Sequence, residues 1–255
     1  MVNMDNADQY RAAPAASPAN APKVCPICGS ASFVAGPKGR MSPGGTPPRC
    51  AGCGALERHR AFRAAFDALR PAFAGLAALQ FSDDPSAPRD AFTSFEVSVY
   101  GGPNHLDLAA IDKPSGSVDV AIANHVLEHV ADDIAALAEL DRITAPGGVT
   151  ILSVPDLLRC DATVEYGHAR EDKHGHYRIY GPDIVARWRK AAPQWRGLAV
   201  VPRDPVTGEP DRLTILSRSA DRLEAFAVAL RAAGMAPTDA FADAATAAGG
   251  AGSAG

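Results

Sequence analysis

The chain has 255 residues, a formal net charge of -4, 47% hydrophobic and 21% charged residues. That is apolar material enough for one α/β domain with a small appendage, which excludes wholesale disorder. The mildly acidic balance excludes a chain-wide basic field for nucleic acid or anionic lipid. No apolar run approaches the roughly 18 residues of a membrane span, so no membrane partner is expected.

Residues 1–22 hold Asp5, Asp8 and three prolines but no apolar block, and read as a flexible tail rather than a secretory signal. The five cysteines then read as reduced thiols in a cytoplasmic protein. Four of them form two pairs, Cys25-Pro-Ile-Cys28 and Cys50-Ala-Gly-Cys53, with 21 residues between the pairs. Two residues between thiolates allow a tight turn to aim both at one ion, and two such turns complete a tetrahedron. The expectation is a closed, structural zinc site on Cys25, Cys28, Cys50 and Cys53. Arg40, Arg49, Arg58 and Arg60 decorate this module, but Lys and aromatic residues are few, so nucleic acid is not the favoured partner. Cys160 stands alone and reads as a buried thiol.

A helix is predicted from Leu56 to Arg70, with Phe62, Phe66 and Leu69 on one face and Pro71 as its end. Strands are predicted at Leu76–Phe81, Phe95–Tyr100 and Val118–Ala123. A helix over Asp132–Ile143, capped by Asp132, leads through Pro146-Gly147-Gly148 into a strand at Val149–Val154. Gly181-Pro182 opens a further helix, Leu198–Val201 and Leu213–Leu216 form a late strand pair, and Ser219–Ala233 is the last helix. Residues 236–255, rich in Ala and Gly, read as frayed. Alternating strands and helices imply a mostly parallel sheet covered on both faces, with ligands at the carboxyl ends of its strands.

Residues 117–130 read Ser-Val-Asp-Val-Ala-Ile-Ala-Asn-His-Val-Leu-Glu-His-Val. This block resembles the class I S-adenosylmethionine (SAM)-dependent methyltransferases (type 11-like), in the branch whose fourth strand ends in Asn-His-Val-Leu-Glu-His-Val and whose fifth follows a Pro-Gly-Gly turn. Asp107-Leu108, the segment His174–Gly181 and the cysteine module ending in Leu56-Glu57-Arg58-His59-Arg60 resemble the same branch. The resemblance covers roughly residues 25–218. It implies a Rossmann-like, doubly wound, mostly parallel sheet (57–235) behind a zinc-ribbon-like module (23–56), with tails at 1–22 and 236–255. It also implies SAM as methyl donor and a small-molecule acceptor. The implied donor contacts are Asp107 and Leu108 at the adenine, Asn124, the loop from Phe81 through Ser82 and Asp83, and Glu96 at the ribose. His125 is the candidate base, and Arg178 or Tyr180 could hold the acceptor.

The branch departs from most members at the first loop. Gln80–Ser86 contains no glycine where a Gly-rich turn usually lets backbone N–H groups approach the donor. Gly101-Gly102 is a substitute. Two other readings stay open here: a methyltransferase-like module that binds without catalysing, and a zinc peptidase carrying His125-Val-Leu-Glu128-His129 on a helix. His174 and His176, with His168, raise the prospect of a second metal.

Overall fold

The computed structural model describes residues 23–155 and 157–242. The expected tail at 1–22 and residues 243–255 of the expected tail at 236–255 lie outside them. A two-stranded ribbon, β1 (Phe33–Val34) and β2 (Arg49–Cys50), carries the cysteine loops. Helix α1 (Glu57–Ala68) follows, and the chain bends into a short α2 (Arg70–Phe73). Pro71 therefore does not stop the chain's helical course. It stands in the first turn of α2, where its missing N–H costs nothing.

The remaining elements are β3 (Ala77–Phe81), β4 (Ser94–Ser98), β5 (Val118–Asn124), α3 (Asp133–Ile143), β6 (Thr144–Ser153), β7 (Val164–Arg170), β8 (His176–Ile179), α4 (Ile184–Ala191), β9 (Arg196–Val200), β10 (Leu213–Ser217), α5 (Ala220–Ala232) and β11 (Thr238–Asp239). Asp132 caps α3 as expected, accepting from the Ala135 N–H at 3.0 Å, and Ser219 caps α5 in the same way. β7 and β8 form a separate antiparallel hairpin that periodicity does not reveal. Thr238 pairs with Ala199, so residues 238–239 of the expected frayed end are a strand instead.

Seven strands form one sheet in the order β4-β3-β5-β6-β10-β9-β11. β4, β3, β5 and β6 are mutually parallel, and β10 returns antiparallel to both β6 and β9. Side chains alternate between two cores. Val120, Ile122, Val149 and Ile151 pack under α1, α2 and α5 through Phe62, Phe66, Phe73 and Phe226. Ala121, Ala123, Leu152 and Val154 pack under α3 and α4 through Leu137, Leu140, Ile184 and Trp188. Burial on both faces explains why these strands read as continuous apolar runs. The Pro-Gly-Gly turn falls inside β6 as an irregular start, with a register shift opposite Val118 and Val120. A Cβ at Gly148 would lie 2.6 Å from the Asp119 carbonyl oxygen, so only glycine lets β6 approach β5 there.

The chain runs from β3 outward to β4, then crosses back to lay β5 on the other side of β3. The sheet's order therefore reverses between β3 and β5, the position at which a crevice opens beyond the carboxyl ends of the strands.

Candidate active site and thiol cluster

The two strands that flank the reversal end in the same unusual way. Ser82, just after β3, has φ +76°, and His125, just after β5, has φ +51°. Left-handed backbone is unfavourable for both residue types and persists only where the surroundings enforce it. Their strands are neighbours, with Gln80 opposite Ile122.

The turn after β3 closes on itself. Gln80 donates from Nε2 to the carbonyls of Ser82 and Asp84. Asp84 is buried and accepts from the backbone N–H and the hydroxyl of Ser86. His59, on the first turn of α1, reaches down from above, with Nε2 3.5 Å from Asp84 Oδ2. Its Nδ1 accepts from the Leu56 N–H, which fixes the proton of the neutral ring on Nε2. Burial, with Arg58, His125 and Arg60 nearby, outweighs the Asp84 carboxylate and pushes His59 down to about 4.

The turn after β5 stays open. Asn124 is buried; its Oδ1 accepts from the Ser153 hydroxyl, while Nδ2 has no hydrogen-bond partner among the described residues. His125 Nε2 is likewise buried without one; it lies 3.7 Å from Asp211 Oδ2, and Nδ1 lies 3.9 Å from Glu128 Oε1. His125 floors a cleft of about 370 Å³ walled by Pro155, Leu157 and Asp211 and roofed by Arg40, Met41 and the start of α1 at Leu56–Arg58.

The other sequence-predicted residues divide. Asp107 is exposed in a turn beyond β4, its Oδ1 accepting from the Ala109 N–H. Phe81 and Leu108 are buried in the same core cluster, so their side chains support the crevice rather than line it. Asp83 is exposed and paired with Arg89 at 2.5 Å. Glu96 does not join the group. It lies two residues before the end of β4, opposite Leu79, and pairs with Lys113 at 2.7 Å. The tip of β4 instead presents Tyr100, 90% exposed and edge-on to His105. Beside it, Gly101 is left-handed, with open space where a Cβ would stand. Tyr100 was hidden from sequence reading because alternation extended the strand through it.

Arg178 and Tyr180, candidates for holding the acceptor, are buried and bonded within the protein. Arg178 is buried and donates to the Val130 and Ala131 carbonyls and to Glu165. Tyr180 donates to Asp133 at 2.8 Å, and burial next to that carboxylate raises its hydroxyl's pKa. Both anchor the β7–β8 hairpin region to the start of α3. Residues 125–129 are a left-handed turn and one 3₁₀ turn, Leu127–His129, so His125 and His129 do not share the helical face that a peptidase of the H-x-x-E-H type requires.

The four paired cysteines come together. Cys25 Sγ is 3.7 Å from Cys53 Sγ, and Cys28 Sγ is 3.5 Å from Cys50 Sγ. Four thiolates about one tetrahedral ion stand roughly 3.8 Å apart for metal–sulfur bonds of about 2.3 Å, so the cluster fits a metal ion. Burial raises the Cys53 thiol to about 12, with its three neighbours adding to the rise. Burial would also raise Cys50, but backbone groups of Cys53 and Gly52 and the Cys28 thiol bring it down to about 6. The module is bolted to the domain. Arg60 is fully buried, donates to Asp204 at 2.8 and 2.6 Å and to the Ala55 carbonyl at 2.8 Å, and lies over the Phe33 ring. Arg40 of the module grips Glu57 of α1 in a second forked pair.

A family model described as a methyltransferase domain matches residues 59–201. The chain belongs to this methyltransferase family. Among curated relatives, it is 39% identical over 70 residues to an uncharacterized methyltransferase of Schizosaccharomyces pombe, covering 24% of this chain and 25% of that one. It is 42% identical over 50 residues to an uncharacterized 37.1 kDa protein of a Streptomyces fradiae transposon, covering 20% of this chain and 14% of that one. The match thus spans a quarter or less of either relative. Similar solved structures include SAM-dependent methyltransferases from Aquifex aeolicus (TM-score 0.40, 14% identity, 60% of this chain and 90% of that one) and Thermotoga maritima (TM-score 0.37, 13% identity, 62% and 89%). Among the described residues, no helix is long and apolar enough to cross a membrane.

Proposed function

We infer that this methyltransferase-family chain transfers a methyl group from SAM to a small polar molecule. The donor would lie across the tips of β3, β4 and β5, with the acceptor in the cleft above His125. The observation that carries this reading is Asn124: a buried amide whose Nδ2 lacks a partner at the sheet's point of reversal. Leaving such a group unsatisfied costs about 1–3 kcal/mol, and a bound acceptor atom recovers it. Ser82 and Gly101 offer left-handed backbone on either side. Asp107 would accept from the adenine amino group, and the exposed Tyr100 ring offers it a stacking face. Asp83 gives the donor's ammonium a carboxylate.

When bound, SAM supplies a methyl group made electrophilic by its sulfonium sulfur. The chain's own contribution is alignment: the cleft walls hold the acceptor, and the strand tips fix the donor's direction. Its volume falls within the range of small-molecule sites. Arg40, Arg58 and Arg159 face Glu57, Glu209 and Asp211 there, a lining suited to a polar acceptor. Where that acceptor arrives protonated, His125 Nε2 takes the proton, and Asp211 and Glu128 stabilise the imidazolium. Zinc is the ion we assign to Cys25, Cys28, Cys50 and Cys53. Four protein ligands close its coordination, so its role is to hold the module that roofs the cleft.

The test is a crystal structure with S-adenosylhomocysteine. Density against Asn124, Ser82 and Tyr100 is the expected result. A ligand bound elsewhere, or blocked by His59 and the self-closed turn at 82–86, would instead favour a family member that binds through its thiol module without catalysing.

A further inference from the structure

The β7–β8 hairpin and the turn after β5 meet in a second group of metal-type ligands, of which the methyl-transfer reading uses only Glu128, as a support for His125. Glu128, His129 and His176 each bring one ligand atom within 4.8 Å of the other two. His176 lies nearly fifty residues from Glu128 and His129, so sequence spacing does not bring the three together. Glu128 is 1% exposed at its side chain, and its Oε1 lies 3.9 Å from His129 Nε2. The imidazoles of His129 and His176 stand edge to face with centroids 4.6 Å apart.

The ring orientation is set from behind. His174 and Gly175 are successive left-handed residues, φ +59° and +82°, and a Cβ on Gly175 would stand 3.8 Å from His129 Nδ1, so the hairpin turn packs against that edge of the ring. Packing on the Nδ1 edge leaves Nε2, the nitrogen 3.9 Å from Glu128 Oε1, facing the group. Arg178 independently ties the same hairpin to the Val130 and Ala131 carbonyls, so the three side chains are held close before any ion arrives.

We propose that Glu128, His129 and His176 form a second metal site, selective for a borderline divalent transition ion such as zinc. Two imidazoles and one carboxylate suit that class, and three protein ligands leave a position open to water. Ligand atoms around such an ion stand roughly 3.3 Å apart for bonds of about 2 Å, so small side-chain rotations complete the set. The ion would clamp the hairpin to the turn that carries Asn124 and His125. This site differs from the peptidase arrangement, because His125 is no part of it and no helix presents it.

The test is metal counting on the full-length protein, stripped, reloaded with Zn²⁺ and dialysed, alongside a Co²⁺ titration followed by absorbance. Two ions per chain are expected. His176→Ala and the near-isosteric Glu128→Gln should each leave one. Cys25→Ser should also leave one, now lacking the thiolate-to-cobalt charge-transfer band. Retention of that band in the His176 and Glu128 variants shows that they are folded. One ion per chain, lost with Cys25→Ser and indifferent to His176→Ala, would overturn the proposal. So would a second ion that survives Glu128→Gln, because that ion would be held by surface imidazoles alone.

Discussion

The two turns that flank the sheet's reversal share a strained backbone but differ in how their polar groups are satisfied. After β3, Gln80 Nε2, Asp84 and Ser86 are hydrogen-bonded within the turn and His59 leans on Asp84, which leaves Gln80 Oε1 as a buried atom without a partner among the described residues. After β5, Asn124 Nδ2 and His125 Nε2 are buried with no such partners among the described residues. The contrast separates scaffold from site. A glycine-free first loop need not mean a lost donor site. It means that shape at this tip is kept by side-chain bonds and by a helix pressed on it, while in the proposed reading the polar groups of the second tip are kept for a ligand.

The severest way to break that contrast is to remove what presses on the first turn. Arg60 fixes α1, and with it His59, through a fully buried forked pair with Asp204. Arg60→Ala is expected to cost about 3–5 kcal/mol in urea unfolding, because it strands a buried carboxylate. A loss below about 1 kcal/mol would show that α1 is held otherwise.

His59 sharpens the comparison through pH. Its folded value is lowered to about 4 against about 6.5 when unfolded, so the unfolded chain binds the extra proton between those values. The stability that neutral His59 contributes is therefore complete above about pH 6.5 and is lost as pH falls toward 4, by at most about 3.5 kcal/mol at roughly 1.4 per unit. Unfolding midpoints across that window should fall more steeply in the wild type than in His59→Gln. Parallel curves would remove His59 from the account.

Exchanging the roles of the two turns gives the next effect. Asp84→Asn should lower stability by about 1–3 kcal/mol and leave donor affinity within roughly twofold. Asn124→Leu should do the reverse, weakening SAM about 10- to 100-fold, as expected when about 1.4–2.7 kcal/mol of polar contact is lost. The smallest effect is expected at Glu96, whose half-exposed pair with Lys113 contributes under about 1 kcal/mol. Glu96→Gln should therefore bind SAM like the wild type. A large loss of affinity there would return the ribose to β4's middle.

Much of this arrangement is legible in the sequence. The apolar runs read at 118–123 and 149–154, the Asp132 cap and the paired cysteines each carry a local physical signal; the runs fall in β5 and β6, the latter starting earlier, at Thr144, and the cap and the cysteine cluster form as read. The block after β5 also announces itself, with Asn124 and His125 where a strand must give way to a turn. What stays hidden depends on contacts between distant segments. His59 matters because α1 lies across the tip of β3, which helical periodicity cannot say. Glu96 misleads because its position is decided by register against Leu79, not by its charge. The meeting of His129 and His176 depends on a hairpin whose exposed strands show no apolar alternation.

The most direct test of the central claim is calorimetric titration of the full-length protein with SAM, run beside Asn124→Leu. The account predicts saturable one-to-one binding by the wild type and at least about a tenfold loss in a variant with an unchanged unfolding midpoint. Absence of saturable binding in folded, metal-loaded wild type, or equal affinity in the variant, would contradict it.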